Sequence, residues 1–259
     1  MLPAPCYIFS DAHLGVGPPT VERDLLDFLR SLRRRAGSLV INGDLFDFWF
    51  EWQHVIPRPA FRVLAALADL REAGVRVMML AGNHDCWGGE VLRREVGVEY
   101  RLSAWTGTLA GWRAHVEHGD GLRTVEDRGY RRWRTVLRHP ASMRAFRWLH
   151  PDFASALAHR TSDASRARHD ADEGAGLRAV AMSVLAQNPA LQLVIYGHSH
   201  MAALERLASG AVYANAGAWF TEPTYLVVNP DRISLCRWDG SPEGMELDGI
   251  ERTTEKALP

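Results

Sequence analysis

Ser38-Leu39-Val40-Ile41-Asn42-Gly43-Asp44-Leu45-Phe46-Asp47-Phe48-Trp49-Phe50 runs an apolar, strand-like stretch straight into two carboxylates. Branched residues at 39–41 favour an extended backbone, and Asn42-Gly43 breaks it. An apolar run without polar alternation is what a sheet covered on both faces requires. The arrangement occurs twice more nearby. Tyr7-Ile8-Phe9 leads into Asp11-Ala12-His13, and Val75 to Leu80 leads into Gly82-Asn83-His84-Asp85. Between these runs Val21, Leu25, Phe28 and Leu32 recur at helical spacing. After Pro59, Phe61, Leu64, Leu67 and Leu70 do the same, with Gly74 as the stop. Strand, helix, strand, helix, strand predicts a parallel α/β core.

Beyond Gly107 the pattern changes to hairpins. Leu109 and Trp112 to Val116 flank Ala110-Gly111, Leu204 to Leu207 and Ala211 to Tyr213 flank Ser209-Gly210, and Tyr225 to Val228 and Ile233 to Cys236 flank Asn229-Pro230-Asp231. The second half is therefore expected to be largely antiparallel. A helical stretch from Asp127 to Gln187 interrupts it, with Trp133, Leu137, Phe146, Trp148, Leu149, Phe153 and Leu157 three or four residues apart. The predicted organisation is a core over residues 1–122 and 188–245, a helical lid inserted at 123–187, and a loose tail at 246–259.

The chain has 259 residues, 30 basic against 31 acidic, with 47% hydrophobic side chains, which is the balance of an ordinary soluble globular protein. No apolar run reaches the length of a membrane span, and Met1 to Cys6 has no signal-peptide pattern. Cys6, Cys86 and Cys236 are too scattered for a disulfide framework, so a reducing, cytoplasmic setting is expected. Arginine supplies 29 of the 30 basic residues, and Lys256 is the single lysine. Residues 123–168 hold eleven arginines against four acids, a local excess of seven positive charges inside a nearly neutral chain. Such a surface is either a solvated helix face or one suited to an anionic partner, such as the anionic inner face of the cell membrane touched peripherally.

The chemistry-bearing residues sit where strands end. To the three clusters above are added His118-Gly119-Asp120 after one hairpin strand and Gly197-His198-Ser199-His200 after Leu193 to Tyr196. Ligands of open α/β sheets collect beyond the carboxyl ends of the strands, so the five clusters are expected to converge. Asp11, His13, Asp44, Asn83, His118, His198 and His200 offer carboxylate, amide and imidazole donors and no thiolate. That set suits two divalent ions such as Mn²⁺, Fe²⁺ or Zn²⁺, and disfavours an all-oxygen Ca²⁺ cage. Asp44 is central enough to bridge them, and two ions about 3.5–4 Å apart can neutralise a phosphate during in-line attack.

These blocks, D-x-H, G-D-x-x-D, G-N-H-D, a lone histidine and G-H-x-H, resemble the calcineurin-like metallophosphoesterases over roughly Tyr7 to Val228. The resemblance implies a four-layer α/β/β/α sandwich and two metals. Asp11, His13, Asp44 and His200 would hold the first ion, and Asp44, Asn83, His118 and His198 the second. His84 would act as the acid beside the leaving oxygen, with Asp47, or alternatively Asp85, orienting its imidazole. Asn83 would also stabilise phosphate oxygens.

Three features are similar to the branch that hydrolyses UDP-2,3-diacylglucosamine in lipid A biosynthesis. They are the Gly43 to Phe50 run, the His118-Gly119-Asp120 block, and Asn215-Ala216-Gly217-Ala218-Trp219; the separation of 82 positions from His118 to His200 also leaves room for that branch's lid. The implied activity is cleavage of the diphosphate to 2,3-diacylglucosamine 1-phosphate and UMP. Within the lid, Glu126-Asp127-Arg128-Gly129-Tyr130 makes Asp127 and Tyr130 candidates for substrate contact, and Arg166 and Arg168 candidates for phosphate binding. Two departures stand out: His84 occupies a position where the best-known members carry arginine, and the lid has no lysine. The alternative is another dinuclear-metal phosphodiesterase or phosphatase acting on a nucleotide, nucleic-acid or phospholipid substrate. No aromatic-stacking or base-reading motif supports nucleic acid.

Overall fold

The computed structural model describes residues 1–123, 127–156, 158 and 174–253. Its centre is two face-to-face sheets. The first has seven strands in the order β12-β11-β10-β1-β2-β3-β4, and the second has five in the order β5-β6-β7-β9-β8. β1 (Cys6–Phe9), β2 (Ser38–Asn42), β3 (Arg76–Leu80) and β4 (Glu99–Arg101) run parallel. Alternation within β1 explains why the run is wholly apolar. Tyr7 and Phe9 face helices α1 (Pro19–Leu32) and α2 (Phe61–Glu72), whereas Cys6 and Ile8 face the second sheet.

Helix α1 begins with Pro19 just inside its start and buries Leu25, Phe28, Leu29 and Leu32 against the first sheet. Helix α2 buries Leu64, Leu67 and Leu70, but Phe61 is 70% exposed, contrary to the expected common face. Residues three apart drift round a helix, and nine positions at about 100° each put Phe61 opposite Leu70.

The second sheet differs from the antiparallel expectation. β5 (Trp105–Leu109) pairs antiparallel with β6 (Trp112–Val116), and β8 (Ala203–Arg206) pairs antiparallel with β9 (Val212–Asn215). β6, β7 (Leu193–Tyr196) and β9 run parallel to one another. The hairpin turns were legible, but the crossovers between hairpins leave no local signal. β10 (Thr224–Val228) and β11 (Arg232–Arg237) form their hairpin on the first sheet, with β10 antiparallel to β1.

Two expected boundaries move. Residues 246–251 are not a loose tail: Met245–Glu251 is β12, paired antiparallel to β11 at the sheet edge. Its exposed acidic side chains hid it from an apolar-run reading, and an edge strand tolerates such polarity. The remainder of that tail, residues 254–259, lies outside the described residues. Likewise, α5 (Ala175–Gln187) belongs to the core layers, because Leu177, Ala181 and Leu185, four residues apart, pack on Val194, Tyr196 and Tyr213 of the second sheet. The layers are thus α1 and α2, seven strands, five strands, and α5. Ahead of α5, helices α3 (Arg128–Leu137) and α4 (Pro140–Phe146) and a further helical turn at 151–156 cover the loops that follow β2 and β3. Alternation in the Gly43 to Phe50 run attaches them: Phe46 and Trp49 turn into the core, while Phe48 and Phe50 turn out to meet Phe146, Leu149 and Trp87.

Candidate metal centre

Asp11 and His13 follow β1, Asp44 follows β2, Asn83 follows β3, His118 follows β6, and His198 and His200 follow β7. Parallel pairing within each sheet puts the carboxyl ends of β1–β3 on one edge and those of β6 and β7 on another. Side chains join the edges. His118 Nε2 lies 3.2 Å from Asp44 Oδ2, and His200 Nε2 lies 3.3 Å from Asp11 Oδ1. His13 Nε2 and His84 Nε2 are each 4.0 Å from Asp44 Oδ2. Three donor groups result, Asp11 with His13 and His200, His13 with Asp44 and His84, and Asp44 with His118 and His198, each with donor atoms within 4.8 Å. Asp44 and His13 are shared between groups, so the donors form one continuous strip.

The backbone marks the same residues. Asp11, His13, Asp44, His198 and His200 have φ between 43° and 61°, and Ala110 in a hairpin turn is the one other non-glycine residue with positive φ among the described residues. This left-handed region costs L-residues energy and gathers at functional sites. Gly82 allows close approach of two loops, since a Cβ there would strike the Asp44 carboxylate.

Burial without partners completes the picture. Asp11 Oδ1, both ring nitrogens of His13, Asn83 Oδ1 and His118 Nε2 are buried with no hydrogen-bond partner. Buried polar atoms are normally paired, and a divalent cation is a partner that suits carboxylate, amide oxygen and imidazole nitrogen together. The residues therefore fit a metal. His118 Nδ1 donates to the Asn42 carbonyl at 2.8 Å, which turns Nε2 toward Asp44. Electrostatics agree with this. Burial pushes Asp44 upward, yet the charges of His118, His84 and His13 hold it well below the usual carboxylate value. Burial likewise acts on Asp11, but the neighbouring His200 imidazole and the charge of His118 lower it. Burial disfavours charge on His118, whereas Asp44 and then Asp11 raise it well above an ordinary imidazole. The pocket draws positive charge to itself.

His84 sits edge-on to His13, with ring centroids 4.7 Å apart. Its Nδ1 donates to the Asp47 carbonyl at 2.9 Å, so Asp47 holds the imidazole through its backbone, with its carboxylate 3.7 Å away. Asp85 is engaged elsewhere, accepting from the Gly82 and Leu45 amides, each at 2.8 Å. Burial, then the charge of Asp44, pushes Asp85 up to about 7. It fastens the Gly82 loop to the Asp44 loop. Asn215 gains a role too: its amide donates to the Gly197 carbonyl and Ser199 Oγ, both at 3.0 Å, while its own oxygen accepts from Gly217. Ser10 Oγ donates to the Gly217 carbonyl at 3.0 Å, so the loops after β1, β7 and β9 are tied together.

The lid candidates Asp127 and Tyr130 both make hydrogen bonds within the chain. Asp127 is buried, with its carboxylate accepting from the Arg123 amide and guanidinium at 2.9 Å. Tyr130 donates its hydroxyl to Asp120 at 2.9 Å. Both residues serve internal contacts here. Arg166 and Arg168, with Glu126, lie outside the described residues. Sequence reasoning gave no role to Asp120, Arg134 and Arg138, although Tyr130, Arg134 and Arg138 share one helix face at four-residue spacing.

The family model for calcineurin-like phosphoesterases matches residues 4–202. The chain belongs to the calcineurin-like phosphoesterases. It is 29% identical over 256 residues to UDP-2,3-diacylglucosamine hydrolase of Porphyromonas gingivalis, covering 91% of this chain and 94% of that protein. Against UDP-2,3-diacylglucosamine hydrolase of Escherichia coli O157:H7 the identity is 31% over 239 residues, with 87% and 95% covered. A dimetal phosphatase from Danio rerio shares the fold, with a TM-score of 0.52 at 15% identity over 96% of this chain and 98% of that one.

Proposed function

We propose that this phosphoesterase hydrolyses the diphosphate of UDP-2,3-diacylglucosamine, giving 2,3-diacylglucosamine 1-phosphate and UMP. The observation that carries the reaction class is the shared position of Asp44, within reach of His13, His84 and His118 at once. The substrate rests on the near full-length likeness to hydrolases of that name.

In this reading Asp11, His13, Asp44 and His200 hold one divalent ion, and Asp44, Asn83, His118 and His198 hold the other, with Mn²⁺ as the native metal ahead of Fe²⁺ or Zn²⁺. Two such ions supply positive charge against the oxygens of the phosphate under attack. Asn83, half-buried beside the donor strip, would offer its amide N–H to one of those oxygens. His84 presents Nε2 toward Asp44, fixed from behind by the Asp47 carbonyl, and gives a proton to the departing phosphate oxygen. The basic lid gathers the diphosphate and touches anionic membrane from the cytoplasmic side. The exposure of Trp148, 91%, and of Phe153, 62%, supports that contact. Among the described residues no helix is long and apolar enough to cross a membrane.

Release of UMP from the diacylated sugar nucleotide by the purified Mn²⁺-loaded protein tests the reading, with Asp44→Asn as the inactive control. Equal turnover of UDP-sugars lacking acyl chains would instead favour a general nucleotide phosphodiesterase.

A further inference from the structure

Asp120 is buried two residues beyond His118, and its Oδ2 gathers three donors from one helix: Tyr130 Oη at 2.9 Å, Arg138 Nη2 at 3.1 Å and Arg134 Nε at 3.2 Å. Arg138 reaches further. The same Nη2 lies 3.3 Å from the carbonyl of Gly82, the residue before Asn83, and Nη1 lies 3.4 Å from the Leu102 carbonyl. One guanidinium at the end of α3 thus touches the loop after β6, from the five-stranded sheet, and the loop after β3, from the seven-stranded sheet. Trp87 adds a contact in the opposite direction, donating Nε1 to the Leu137 carbonyl at 2.9 Å.

These two loops carry His118 and Asn83. A donor set drawn from two sheets keeps its geometry only if the sheets keep their spacing at that edge. We propose that Arg138 is a positioning residue, a staple that sets the separation of the Asn83 and His118 loops and registers the lid against them. It rests on the metal assignment above. The planar fork of arginine suits the task, because it donates to a carboxylate and a carbonyl in fixed directions, whereas a lysine ammonium is a single point charge.

The test is calorimetric titration of Mn²⁺ into the metal-stripped full chain, alongside KM and kcat for UDP-2,3-diacylglucosamine. Outer partners of metal ligands are worth 10–100-fold in affinity, so Arg138→Met is expected to weaken the second Mn²⁺ equivalent about tenfold and leave the first unchanged. KM is expected to rise more than kcat falls, because the lid loses its register. Arg138→Lys recovers part of the affinity, and the exposed Arg23→Met changes nothing. Wild-type binding of both equivalents by Arg138→Met overturns the proposal, as does equal weakening of both. Should Arg138→Met fail to fold, Arg138→Lys decides, and full affinity for both ions in that variant overturns it. Failure of the wild type to cleave the sugar nucleotide would refute the substrate reading and leave the titration to judge the staple alone.

Discussion

His118 Nε2 lies 3.2 Å from Asp44 Oδ2, and the two residues come from different sheets. Asp44 follows β2 of the seven-stranded sheet and His118 follows β6 of the five-stranded sheet, so the carboxylate is the point at which the halves of the sandwich meet. The pairing is also electrostatic, since each side chain moves the other toward its charged form. A bound cation at this junction would cross-link the halves as well as serve chemistry.

That cross-link sets the first prediction. Stripping metal with a chelator is expected to lower the melting temperature, because a ligand held only by the folded state at about 100 times its Kd adds about 2.7 kcal/mol. For a chain of this size that corresponds to about 5–10 °C. Scanning calorimetry with and without Mn²⁺ measures it, and an unchanged midpoint would show that no ion joins the sheets.

His84 separates chemistry from metal binding. His84→Ala is expected to lower kcat by about 10²–10⁴, the usual worth of a positioned acid. Metal analysis of the purified variant should still find two equivalents. Loss of one ion would make His84 a ligand, a role its place beside His13 and Asp44 would also permit.

Gly82→Ala tests close approach. The new methyl group meets the Asp44 carboxylate, which is itself held between loops. Activity is expected to fall at least about tenfold through displaced ligands, while circular dichroism keeps its native form. Full activity would mean that the Gly82 loop yields easily.

Trp148→Ser addresses the lid surface. The indole is almost wholly exposed, so its removal is expected to leave the melting temperature within about 1 °C. Sedimentation with vesicles containing anionic phospholipid should retain less of the variant than of the wild type. Equal retention would move membrane contact to another face.

Much of the site was legible because each donor follows an apolar run closely: Ile41 is three residues before Asp44, and Tyr196 is two before His198. What the sequence did not disclose was orientation. Parallel pairing of β6, β7 and β9 depends on crossovers, which leave no periodic trace. β12 escaped notice because its side chains are polar, and Phe61 was misplaced because three-residue spacing is not a face over nine residues. The hydrogen bonds of Asp127 to Arg123 and of Tyr130 to Asp120 have no signal in the sequence that separates them from a substrate contact. Asp85, a candidate to orient His84, and Asn215 fasten loops instead, through contacts that depend on the tertiary fold.

The left-handed backbone at Asp11, His13, Asp44, His198 and His200 has an engineering consequence. At about 1–3 kcal/mol each, these conformations mean that the scaffold would be more robust with glycine in their place. His200→Gly is therefore expected to melt no lower than the metal-stripped wild type, although it removes a donor. Without metal, stability and activity pull in opposite directions along this strip, so a screen for thermal robustness of the metal-stripped protein would drive the chain toward a well-folded protein with no catalyst in it.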